Sequence, residues 1–105
     1  MNAGPAIGWA DLTDPERDVL TSAGDGPLLG ELDGRRERLQ PAVVSLAAAG
    51  LVVLTTRTTW DGQPDPTEPD AVADVVADDR AWLRSLDAGR YVEVLRTPAG
   101  DAALR

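Results

Sequence analysis

Apolar positions along the chain fall into stretches of two different periods. Val19, Leu20 and Ala23 share one side of a helical stretch, and Leu12-Thr13-Asp14-Pro15-Glu16 leads into it. Thr13 or Asp14 can cap that helix, proline fits its first turn, and the acids sit near the positive end of the dipole. Thr13 and Glu16 also stand at capping-box spacing. Gly24-Asp25-Gly26-Pro27 stops the helix, and a short second one fits residues 27–33, with Leu28 or Leu29 one turn from Leu32. Beyond Gly34, the spacing of Leu39, Val43 and Leu46 predicts a third helix. A proline inside a helix removes a hydrogen bond and clashes with the preceding turn, costing about 3 kcal/mol. The regular helix is therefore expected from near Arg38 or later, so that Pro41 falls in its first turn, and Gly50 should end it.

The period then changes. Residues 51–60 are rich in Val, Leu and Thr and predict a strand, which Asp61-Gly62 turns. Pro64, Pro66 and Pro69, with acids between them, predict a stiff, extended, solvated connector. Over residues 70–87, Val72, Val75, Val76, Trp82, Leu83 and Leu86 keep helical spacing and predict a fourth helix. Asp74, Asp78, Asp79, Arg80 and Arg84 lie on its other face. Ala88-Gly89 ends it, residues 90–97 alternate as a second strand, and residues 98–105 fit a short terminal helix.

Composition narrows what such a chain can do. At 105 residues it is long enough for one hydrophobic core, and with aromatics at 4% that core must be Leu, Val and Ala. With no Cys, it has no disulfide, thiolate nucleophile or cysteine zinc site; with no His, it has no imidazole base, triad or His-bound metal. Asp61, Asp65, Glu68 and Asp70 lack the spacing of a calcium loop. Asp78 and Asp79 are adjacent and so diverge on a helix. No enzyme activity, cofactor or metal is expected. The apolar run 47–54 is too short to cross a bilayer and the N-terminus lacks a secretion signal, so a soluble cytoplasmic protein is expected. The formal charge is −8, and every one of the ten bases is arginine. Residues 61–87 hold eight acids and two arginines, a net of −6. That balance disfavours non-specific attraction to nucleic acid or an anionic membrane.

Three short helices followed by two strands that can pair is the order of a winged helix-turn-helix. The wording resembles the MarR- and ArsR-like winged-helix regulators: Leu39, Val43, Leu46, Gly50, Leu51 and Val52 follow the pattern that closes the family's recognition helix. Thr97, Gly100 and Leu104 match a phrase that follows its second wing strand. The resemblance covers roughly residues 12–60 and 90–104. It implies an α+β winged helix in one domain, 1–105, with a tri-helical core over 12–50. The wing strands would be 51–60 and 90–97, with an acidic connector and helix, 61–89, inserted between them.

Two functions from different classes follow. In a DNA-binding transcription regulator, the third helix would enter the major groove of double-stranded DNA. Arg35, Arg36 and Arg38 would contact phosphates and base edges, Gln40 is placed to read a base edge, and Arg57 and Arg96 would steady the backbone. Against this, the arginines can simply pair on the surface with Glu31, Asp33, Glu37 and Glu93. The alternative is a winged-helix module that binds a basic protein or peptide through its wing edge strand or its acidic insertion. On the inserted helix, Val72, Val75, Val76, Trp82 and Leu86 form either a core stripe or a partner or homodimer interface. An insertion folded across the third helix would leave a protein that does not bind DNA.

Overall fold

Thr13 and Glu16 close the expected capping box: the Glu16 amide donates to Thr13 Oγ1 at 3.4 Å and the Thr13 amide to Glu16 Oε1 at 2.8 Å. The helix they open is α1, Asp14–Ser22. The computed structural model describes residues 8–32, 34–57, 59, 61–82 and 91–104. Within them, α1 is followed by α2 (Arg36–Ala48), β1 (Val52–Arg57), β2 (Asp65–Thr67), α3 (Val72–Ala77), β3 (Tyr91–Arg96) and α4 (Pro98–Ala103). The architecture is mixed α+β.

The sheet has three antiparallel strands in the order β2-β1-β3, where two were expected. The extra strand comes from the proline-rich connector, whose extended backbone is already suited to an edge. Leu54 pairs with Thr67 and Thr56 with Asp65, which leaves Pro66 opposite Thr55. An edge strand tolerates proline because one side of its ladder is unused.

The second helix shrinks to a 3-10 turn, Leu29–Glu31. Its expected first turn is used differently: the Val94 amide donates to the Pro27 carbonyl at 2.9 Å, and Leu28 bridges Glu93. Extended backbone beside β3 displaces the helix there, while Leu29 and Leu32 still reach the core.

Helix α2 starts at Arg36, so Pro41 lies inside it rather than in its first turn. Arg35, the N-cap, accepts from the Arg38 and Leu39 amides. Proline leaves the Glu37 carbonyl without an intrahelical donor, but Glu37 and Pro41 are both exposed, so water can meet that carbonyl. The other end follows expectation. Gly50 is left-handed at φ 77°, the Leu51 amide reaches the Leu46 carbonyl at 2.9 Å, and the Gly50 amide reaches Ala47 at 3.1 Å. These two bonds make a Schellman cap, and buried Leu46 and Leu51 supply its apolar contact.

The expected 70–87 helix is broken. A 3-10 turn, Pro69–Ala71, precedes α3, and another, Asp79–Trp82, follows it. Asp78 is the break: it is extended, and its carboxylate accepts the Arg80 amide at 2.9 Å. An aspartate that caps a new turn competes with helix continuation. Leu83, Arg84, Leu86, the helix stop at 88–89 and Arg90 lie outside the described residues, as do Asp33 and Trp60.

One apolar cluster joins these parts. Leu20, Leu39, Val43, Leu46, Leu54, Val72, Val76, Val92 and Val94 are all fully buried in it, and Leu54 faces Val94 across the sheet. Helix α4 closes one end. Thr97 Oγ1 accepts the Gly100 amide at 3.1 Å while donating to the Gly50 carbonyl at 2.6 Å. Gly100 lies so close to β1 that a Cβ there would stand 2.1 Å from the Leu51 carbonyl oxygen. Replacing Gly100 with alanine should therefore push α4 off the sheet and lower stability by about 1–3 kcal/mol, as overpacking does. Urea unfolding measures it, and an unchanged midpoint would show that α4 does not pack there.

Candidate functional site

The expected binding element, α2, has little free surface. Leu39, Ala42, Val43, Leu46 and Ala47 are buried, with α1 packed on one flank and α3 on the other. The remaining exposed strip runs through Glu37, Pro41, Ser45 and Ala48, with Arg38 beside it. That strip holds one carboxylate, a proline and two small side chains.

Four of the five arginines expected at DNA are held within the fold. Arg36 Nη1 donates to Asp79 at 2.6 Å, and its Nη2 to the Ala77 carbonyl at 3.0 Å and the Val76 carbonyl at 3.4 Å. Its Nε donates to Gln40 Oε1 at 3.2 Å, so Gln40 orients Arg36. The Trp82 ring lies 5.7 Å from the guanidinium carbon, and its indole N–H donates to the Val76 carbonyl at 2.7 Å. One arginine of α2 thus joins the end of α3 to the turn that follows.

The others are tied elsewhere. Arg38 pairs with Asp18 of α1 at 3.3 Å. Arg57 pairs with Glu93 across the sheet, on the face opposite Leu54 and Val94. Arg96 bonds Asp101 at 2.6 Å and the Leu20 and Thr21 carbonyls at 3.2 and 3.4 Å. A cation on those carbonyls caps the negative end of α1. Arg35, exposed at the start of α2, makes no ion pair among the described residues. Of the acids weighed as surface partners, Glu93 alone among the described residues takes one of these arginines; Asp18, Asp79 and Asp101 take Arg38, Arg36 and Arg96.

The stripe expected as core or interface splits. Val72 and Val76 are buried at 1% and 0% exposure, and Val75 and Trp82 pack half-buried against the same core. Leu86 lies outside the described residues. Asp61, Asp65, Glu68, Asp70, Asp74 and Asp79 remain exposed. Asp78, by a side-chain hydrogen bond and then by its charge, raises the pKa of Arg80 and fixes that cation beside itself.

The two largest of three surface concavities among the described residues went unread in the sequence. A groove of about 520 Å3 separates α2 from α3 and is lined by Glu37, Gln40, Pro41, Val44, Ser45 and Ala73. A second, of about 610 Å3, lies beside exposed Trp9, over which Arg17 stacks at 5.4 Å. Both join segments far apart in the chain, and no local spacing announces either.

No family model matches the chain, and no curated protein or solved structure matches it. Function must therefore be argued from the residues themselves.

Arg36→Ala removes a half-buried cation from four acceptors and leaves the end of α3 poorly capped. A loss of about 1–2 kcal/mol is expected, the lower range for hydrogen bonds to a charged group because the site is partly solvated. Arg35→Ala should stay within about 0.5 kcal/mol of the parent. Equal, negligible effects in urea unfolding would mean that Arg36 is a free surface residue.

Proposed function

We propose that this chain is a non-enzymatic winged-helix interaction module that binds a basic protein or peptide partner and does not read DNA through α2. The carrying observation is the hold of the insertion on Arg36, which removes the best-placed cation from the face of α2 and sets α3 and its acids along that helix. Further support comes from the order of elements: α1, the 27–28 bridge to β3, a helical turn, α2, β1 and β3 follow a winged-helix path. The charge of −8 favours a basic partner. Strand addition at the wing is the weaker docking mode, because the outer strand is the three-residue, proline-containing β2, a blunted edge.

A transcription regulator is the second reading. It is favoured by Arg35, exposed and without an ion pair among the described residues at the start of α2, and by the half-exposed Arg38 close by.

Selection of genomic DNA fragments by the purified protein, at low and then moderate salt, separates the two. The interaction module enriches nothing at either salt. Enrichment of a palindromic motif, lost in Arg35→Ala, would overturn it in favour of the regulator.

A further inference from the structure

We propose that the groove between α2 and α3 is the docking site, and that it takes a short basic segment carrying one small aliphatic anchor. This deepens the reading of the chain as a module for a basic partner and rests on it. The anchor fits between Pro41, Val44 and Ala73, and flanking arginine or lysine side chains meet Glu37 and Asp70.

Size, lining and charge each point to that occupant. The groove measures about 520 Å3, within the range of concavities that hold a ligand of several side chains. Its apolar lining comes from Pro41, half-buried Val44 and Ala73, whose short side chain keeps α3 from filling the space. Gln40 and Ser45 add polar atoms beside it.

Glu37 is the one charged residue in the lining. Asp70 lies about one turn before Ala73 and is exposed. Arg36, which precedes Glu37 on α2, is taken up by Asp79 and the end of α3, so it does not offset these carboxylates. An aliphatic floor with an acidic rim selects a segment of the opposite pattern.

The larger concavity beside Trp9 offers less. Its carboxylates are already met from within, Asp14 by Arg17 at 3.6 Å and Asp18 by Arg38 at 3.3 Å. Arg17 also occupies a face of the Trp9 ring.

The test uses fluorescence anisotropy with a short labelled peptide of alternating arginine and leucine, and with a second peptide in which serine replaces leucine. The first should bind the full chain, and the serine peptide about tenfold more weakly, as expected for loss of an anchor. Ala73→Trp, which fills the groove from an exposed position, should weaken binding about tenfold. Glu37→Gln should weaken it about two- to threefold, as for one exposed charge pair. Ala102→Trp, exposed on α4, should change nothing. If Ala73→Trp fails to fold, Ser45→Trp fills the same space from α2. Binding of the first peptide that is indifferent to the groove-filling tryptophan overturns the site and leaves the basic-partner reading standing. Failure of that peptide to bind at all overturns both.

Discussion

A guanidinium cannot give up its charge and carries five donors, so one that is drawn into a fold needs several acceptors at once. A short helix has the opposite need, because its last carbonyls have no intrahelical donors. Arg36 and α3 answer each other: the Val76 and Ala77 carbonyls and the Asp79 carboxylate surround one side chain of α2, and Trp82 covers it. Through that contact a six-residue helix, too short to persist alone, acquires a fixed place on the core. Burial of Val72 and Val76 fastens it from the other side.

The position of α3 governs the rest of the surface. It covers one flank of α2 while α1 covers the other, so the strip left to solvent carries Glu37, Pro41, Ser45 and Ala48, with Arg38 beside it. It also creates the groove, since Ala73 faces Pro41 and Val44 without filling the space between them.

In a chain whose bases are all arginine, these side chains act as ties between distant elements. Arg36 joins α2 to the insertion, Arg38 joins α2 to α1, Arg57 joins β1 to β3, and Arg96 joins the sheet to the ends of α1 and α4. Most are partly exposed, so each adds little energy by itself. Their consequence is electrostatic: the cations are neutralised within the fold, and the exposed acids of the insertion are left to set the character of the outer surface.

The features legible in the sequence are those decided within a few residues. The Thr13–Glu16 capping box, the left-handed Gly50 that ends α2, and the Thr97–Gly100 start of α4 are local hydrogen-bond patterns, and the chain spells them out. The core positions of α1 and α2 follow from helical spacing in the same way. What the spacing misplaced depends on partners far along the chain. Pro27 and Leu28 lie beside β3 because the Val94 amide needs an acceptor at the sheet edge, and Asp65–Thr67 becomes a strand because β1 has an open side. Asp78 breaks the inserted helix where the end of α3 can be met by Arg36 and Trp82. The sequence by itself determined an acidic, cysteine- and histidine-free chain of helices and strands with an arginine cluster at the start of its third expected helix. Only the tertiary structure decided that Arg36 turns toward α3 and Arg38 toward α1 while Arg35 stays exposed, because a charged side chain takes whichever acceptors the fold brings within reach, and Asp18 and Asp79 arrive there from other helices and turns.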